Sequence, residues 1–400
     1  MESIFSELGR SGPAGLLLRA ILASLLGIIL LVGFIVVRRW YRARYFHRRN
    51  QRTVALRAQW NDIVSGKLPP QDWRFDPLDC DIVQNILLDN IEMADQENLP
   101  PLLDCLRMSG LLDTLIYEAR TARSWKQRRS LLALGRTRAK EAIPALAAGL
   151  DSGLAETRIA AVRALGRTTV VEAAIPILDR IVAGHLDAPE RSLKNALTNC
   201  CRSHPEVLVR YLDQTQGPVR ELLTRVLAEL ASPELGEELL VLAADALPEV
   251  RASAARALAN TDAPYTLPAL HSLATDCEWF VRLRAVVALG QVQDAGKIRI
   301  LLRSLCDTNR HVRQRAAWAL ARMEPQLQHI LEEVVATNDD YALQAFISEL
   351  ERSGAMEKIT GALEGSGEYS AQTSLRDIVE GARKSVELSG KAASAAAGAR

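Results

Sequence analysis

At 400 residues with a formal charge of +1, the chain is long enough for two or three globular units or for one elongated array. Alanine and leucine are abundant, aromatic residues make up 5% of the chain, and runs of β-branched residues are few, which points to helix and away from sheet. Ten arginines against Glu2 and Glu7 give residues 1–61 a net charge of +8, leaving −7 on the remainder. A body of that sign is a poor match for wrapping nucleic acid, whose binding rests on neutralised phosphates.

Residues 1–13 are a short leading segment, and residues 14–37 read as a transmembrane helix. Its centre, Ala20 to Val37 (AILASLLGIILLVGFIVV), holds 18 residues without a charge, enough for about 27 Å of helix, close to one hydrocarbon thickness. A cleaved signal peptide fits less well, because arginines stand where a small-residue cleavage site would follow. After the span seven arginines run from Arg38 to Arg52, and no acid follows it before Asp62. The positive flank places the N-terminus outside and the rest of the chain in the cytoplasm, as a single-pass protein of the inner membrane.

The stretch RRWYRARYFHRR opens residues 38–66, a basic aromatic juxtamembrane helix. Read alone, its arginines and rings would suit a single-stranded nucleic-acid groove. Its position directly behind the apolar span assigns Arg38, Arg39, Trp40, Tyr41, Arg42, Arg44, Tyr45 and Phe46 to the membrane interface. There the arginines face anionic lipid headgroups and the rings form an aromatic belt. Prolines at 69, 70 and 77 make residues 67–77 a linker, and residues 78–127 read as degenerate helical repeats that cap the remainder of the chain.

From Arg128 the sequence repeats itself. LLALG ends at Gly135, VRALG at Gly166, NALT at Thr198, RVLA at Ala228, RALA at Ala259, VVALG at Gly290 and AWALA at Ala321, with successive spacings of 31, 32, 30, 31, 31 and 31. A period of this size means a solenoid, here residues 128–360. Each unit divides into two helices at helical spacing, for example Leu283, Val286, Val287 and Leu289, then Ile298, Leu301, Leu302 and Leu305. Small residues at the end of the first helix let the two helices of a unit approach. Pro144, Pro176 and Pro268 open second helices, where a missing N–H costs nothing. Once per unit an aspartate precedes an opening arginine, as in Asp245/Arg251, Asp276/Arg282 and Asp307/Arg313. A feature present in every unit serves stacking, so Arg158, Arg220, Arg251, Arg282, Arg313, Asp245, Asp276 and Asp307 are assigned to capping and inter-repeat links rather than to catalysis.

The pattern L-x-A-L-G…A-x-P-x-L-x-x-x-L-x-D…V-R resembles the HEAT-repeat family, in particular the short HEAT-like repeats of the phycobilin-lyase type. The resemblance implies an all-α fold, a solenoid of helix pairs preceded by one N-terminal transmembrane helix, and a role as a binding surface or scaffold. HEAT-repeat hydroxylases with a di-iron centre use repeated His-Glu dipeptides. Here the six histidines are followed by Arg48, Leu186, Pro205, Ser272, Val312 and Ile330. Membrane-anchored HEAT-repeat proteins of this general look also accompany envelope and polysaccharide machinery, including membrane glycosyltransferases.

No nucleophile–base pair, metal cluster or phosphate loop is legible, so the expectation is a non-enzymatic protein without cofactor or metal. Its partner would be a protein, not nucleic acid, held on a concave face built by the second helices, with Arg180, Arg210, Lys297, Arg299 and Arg303 as contacts. Two alternatives belong to other classes: a HEAT-like enzyme of the chromophore-lyase type, and a membrane-associated nucleic-acid binder through residues 38–57. Cys80, Cys105, Cys200, Cys201, Cys277 and Cys306 contain no C-x-x-C pair and read as small buried hydrophobes in a reducing compartment. Residues 361–400 read as a linker, an amphipathic helix and a small-residue tail.

Overall fold

The computed structural model describes residues 13–356 apart from Phe75, Gln96, Asp262 and Ala263. The expected linker, amphipathic helix and tail of 361–400 lie outside the described residues. Those described form 21 α-helices and no strand, in two compact units divided between Tyr117 and Glu118.

The first unit opens on one helix, Pro13–Ala58, of 46 residues. The apolar span and the basic stretch are thus one uninterrupted rod rather than two helices, because no Gly-Pro signal separates Val37 from Arg38 and Arg, Ala and Leu all propagate helix well. The most apolar 18-residue window has a mean hydropathy of 3.0 with none of it buried, so the helix is long and apolar enough to cross a membrane. Its final turns fold back into protein: Leu56 is buried, as is Ile63 in the short helix Trp60–Val64. The residues taken for a linker contain a helical turn of their own, Pro70–Arg74, which buries Trp73. Pro77–Met93 follows, capped by the Asp76 side chain accepting from the Leu78 amide, and buries Ile82, Val83, Ile86, Leu87, Leu88 and Ile91.

The second unit begins inside helix Leu111–Thr121, ten residues earlier than the periodicity suggests. It then alternates first helices (Ser124–Arg136, Ala155–Thr168, Glu190–Cys200, Gly217–Leu230, Pro248–Leu258, Trp279–Leu289, Arg310–Ala321) with second helices (Ile143–Leu150, Ile175–Val182, Glu206–Leu212, Gly236–Ala243, Thr266–Leu273, Lys297–Leu305, Leu327–Ala336). Asp340–Ser353 closes the described part as one more first helix. Along the array neighbouring first helices pack on one another, and from Gly217–Leu230 onward each first helix also packs on the second helix of the repeat before it. This explains why first helices carry small residues on more than one face.

The glycines show where that matters. A Cβ on Gly135 would stand 2.5 Å from the Ala164 Cα, and one on Gly166 would stand 2.6 Å from the Ala196 Cα. The close approach therefore joins first helices of neighbouring repeats, not the two helices within a unit as the sequence suggested. The cysteines also divide: Cys200 and Cys201 are buried, and burial pushes both thiols up to about 12. Cys277 and Cys306, in contrast, are exposed.

Gly135→Ala and Gly166→Ala each meet backbone and should destabilise the array by about 1–3 kcal/mol. Gly290→Ala, whose new Cβ would come no nearer than 3.3 Å to the Val287 carbonyl and 3.4 Å to the Ala319 Cβ, should change stability by less than about 1 kcal/mol. Thermal unfolding of the three variants checks the contrast.

Candidate functional site

Three arginines in the second half of the array make the same construction. Arg251 donates from Nε to Asp276 Oδ2 at 2.7 Å and from Nη2 to Oδ1 at 2.9 Å. Its Nη1 donates to the carbonyls of Asp245 at 2.9 Å and Ala246 at 3.1 Å. Arg282 repeats this on Asp307, with its Nη1 on the carbonyls of Asp276 and Cys277. Arg220 takes Asp245 at 2.7 Å through Nε. The aspartate paired with each arginine lies 25 residues ahead, in the next repeat, not six behind it. Each carboxylate also accepts an amide two residues on, from Leu247, Glu278 or Asn309, and so opens its own first helix.

Side-chain exposures of 14% and 10% for Arg251–Asp276 and of 14% and 8% for Arg282–Asp307 set these pairs apart from surface ion pairs. Burial works against the charge on Asp276 and Asp307. The hydrogen bonds from arginine and from the following amides outweigh it and hold both carboxyls below their ordinary range. Nearer the start of the array the construction loosens: Arg158 keeps its own-turn anchor, Nη1 donating to the Ser152 carbonyl at 3.0 Å, but reaches forward to the Asp187 carbonyl at 3.2 Å and to its carboxylate at 3.4 Å. Arg313 binds the carbonyls of Asp307 and Thr308 and stacks on Tyr341.

On the second helices the five candidate contacts separate. Arg180 is bidentate to Asp151, at 2.7 and 2.6 Å, and these hydrogen bonds hold the Asp151 carboxyl below its usual range. Lys297 folds back onto the Val292 carbonyl, and burial lowers its pKa. Both are internal braces rather than free contacts, because each lies within reach of an acceptor in a neighbouring turn. Arg210, Arg299 and Arg303 remain exposed. Arg299 and Arg303 line a groove of about 320 Å³ with Leu267, Pro268, His271, Gly296 and Ile300. His271 Nε2 stands 3.5 Å from Arg303 Nη1.

The HEAT-repeat family matches residues 205–289 and 267–351, and the PBS lyase HEAT-like repeat matches residues 126–152. Residues 126–152 and 205–351 of the array are thus matched as HEAT or HEAT-like repeats. No curated protein matches the chain. Among solved structures, an engineered protein is 20% identical, covering 78% of this chain and 95% of its own, with a TM-score of 0.35. Human deoxyhypusine hydroxylase in complex with glycerol is 17% identical, covering 60% and 96%, with a TM-score of 0.26. The CpcE–CpcF complex of phycocyanin lyase from a Nostoc species is 20% identical, covering 55% and 92%, with a TM-score of 0.25. None of these likenesses carries an activity over to this chain. Among the described residues no group of three or more His, Cys, Asp or Glu could hold a metal ion.

Ahead of the HEAT repeats, the basic stretch divides in two. Arg38, Arg39, Arg42 and Arg44 are exposed on the long helix beside Trp40, Tyr41, Tyr45 and Phe46. The Arg44 guanidinium lies 5.4 Å from the centre of the Trp40 ring. One and two turns on, arginines turn to protein. Arg52 is bidentate to Asp79, which is 1% exposed, and that hydrogen bond raises the Arg52 pKa. Arg49 and Arg48 stand 3.6 Å from Asp81 and Asp76. Sequence reasoning passed over this clamp, because its partners are 27 residues apart and occur once. The available signal was the cluster of acids at 76, 79 and 81 opposite arginines at four-residue spacing.

Replacing Asp276 with Ala removes one carboxylate and strands a mostly buried guanidinium, and should cost about 2–4 kcal/mol. Because the folded pKa values of Asp276 and Asp307 lie below the ordinary aspartate value of about 3.9, their contribution is complete above that pH. It is lost as the pH falls through the folded values. Denaturant titration from neutral pH to about pH 2 should show the wild type losing stability on acidification more steeply than Asp276→Asn.

Proposed function

We propose that this protein is a membrane-tethered HEAT-repeat scaffold, not an enzyme, that holds a protein partner on the second-helix face of its array. The observation that carries this reading is the divided role of the cations on that face. Arg180 and Lys297 brace the fold, whereas Arg299 and Arg303 border an apolar-floored groove with His271 and make no ion pair among the described residues. Exposed arginine around an apolar floor is the composition of an interface centre rather than of a solvated helix face.

The long helix Pro13–Ala58 supports the tether. Its apolar part is exposed along its length, and its exposed Arg38, Arg39, Arg42 and Arg44 would hold the following residues on the cytoplasmic side, against anionic headgroups. In this topology the N-terminus lies outside and the array lies in the cytoplasm of a single-pass inner-membrane protein. The partner class, an envelope- or polysaccharide-assembly enzyme such as a membrane glycosyltransferase, has only the general resemblance of membrane-anchored HEAT-repeat proteins behind it.

The test uses the full-length protein in native membranes, with p-benzoylphenylalanine installed at position 299. Irradiation should give a protein adduct at near-stoichiometric yield that weakens when Arg303→Glu is introduced. Recovery of no adduct, or of one indifferent to the charge at 303, sinks the scaffold reading on this face.

A further inference from the structure

The ladder of inter-repeat pairs ends on an arginine whose carboxylate is missing. Arg220, Arg251 and Arg282 each find an aspartate 25 residues ahead. Arg313 keeps the inner half of the construction: its Nη1 donates to the Asp307 carbonyl at 2.8 Å and the Thr308 carbonyl at 3.1 Å. Arg251 and Arg282 anchor on their own turns in the same way. The residue 25 positions ahead of it is Asn338, and no hydrogen bond or ion pair joins the two. The neighbouring Asp339 caps the next helix, accepting from the Tyr341 and Ala342 amides at 2.9 and 3.1 Å, and also meets the Cys306 thiol. The Nε/Nη2 edge of Arg313, which binds carboxylate in the earlier repeats, is therefore held in place without a carboxylate among the described residues.

Its surroundings are those of a contact point. The Arg313 guanidinium lies 5.4 Å from the centre of the Tyr341 ring, and that tyrosine is 69% exposed. Arg310 and His311 are exposed on the same turn. The His311 ring lies 6.0 Å from Trp279, which is itself 42% exposed. Arginine, tyrosine and tryptophan are the residues that most often carry interface energy. A guanidinium already fixed by two carbonyls loses little freedom on binding.

We propose that this open edge of Arg313, with Tyr341 as its wall, docks an aspartate or glutamate side chain of a protein partner. The inference rests on the scaffold reading and adds a second contact point, at the turn edge rather than on the second-helix face. The earlier repeats identify the ligand, since a carboxylate is what this fork binds in Arg251 and Arg282, and what Arg220 takes through Nε, in the same chain. The local charge argues for one carboxylate rather than a phosphate or an anionic bilayer, because Asp339 and Asp340 offset Arg310 and Arg313.

Full-length protein in native membranes, with p-benzoylphenylalanine at position 310, tests this. The expected adduct joins a partner protein within a few residues of an Asp or Glu. Arg313→Gln should reduce it about tenfold, the loss of one charged hydrogen-bonded pair. Asn338→Asp should reduce it as well, by completing the rung internally while keeping Arg313 and a backbone that Asp tolerates at φ +52°. Changing the crosslinked acid to Lys should restore the adduct to Arg313→Glu. The proposal is overturned by an adduct that neither variant lowers, by one on a second copy or on residues 357–400, or by no adduct. An absent adduct at 310 beside an intact one at 299 removes this inference and leaves the scaffold standing, whereas loss of both removes both.

Discussion

The array depends on one interaction, the arginine of one repeat closing on the aspartate of the next. Apolar packing of Ala, Leu and Val between first helices is strong but permits sliding, since small side chains present similar surfaces at several offsets. The arginine removes that freedom. It is anchored by Nη1 to the carbonyls of its own turn and reaches forward with a planar fork, so the next aspartate fits at one position only. That aspartate in turn holds the turn leading into the helix that carries the next arginine, by accepting from the Glu278 amide. Register thus passes from repeat to repeat, and each pair is largely screened from water. Surface pairs between repeats, such as Lys140–Glu172 with exposures of 65% and 45%, add little by comparison.

Where the rung fails, the repeat itself changes. Arg191 and Asp213 have the residue types for the construction but make no pair. Between Val182 and Glu190 the chain runs through a longer irregular connection that includes Gly184 at φ +72°. On the N-terminal side of that break a different brace appears, Arg180 on Asp151, joining the second helix of one repeat to the turn of the one before. The forward arginine is thus tightest after that break, while before it a looser Arg158–Asp187 contact is joined by the Arg180–Asp151 brace.

The period of about 31 residues was legible because every repeat must rebuild the same contacts, and so the fold could be read from spacing alone. The partner of each arginine was not legible. Asp245 and Arg251 look like a pair in one dimension, yet the arginine binds only the aspartate's backbone carbonyl and sends its fork to Asp276. Likewise a small residue at a helix end announces close approach but not to which neighbour, and Gly166 faces the next repeat. The cations of the second-helix face were the least legible. Whether Arg180 or Lys297 finds an acceptor depends on turns that only the folded chain brings near.

The N-terminal helix follows the same rule, that a charged residue's role is set by what comes to meet it. One basic stretch contains two populations of arginine with similar sequence surroundings. Arg38, Arg39, Arg42 and Arg44 stand exposed on the rod, whereas Arg52 is met by a buried Asp79 and cannot leave without stranding it. Fourteen residues of uninterrupted helix separate Arg38 from Arg52, about 21 Å at 1.5 Å per residue. If the exposed arginines sit at the headgroups, the clamp stands that far from them, held off by a rod with no joint in it. An anchor that only needed to retain the protein at a surface could end in a flexible linker. A rod clamped into the first folded unit instead holds that unit at a fixed distance and angle from the exposed arginines of the same helix.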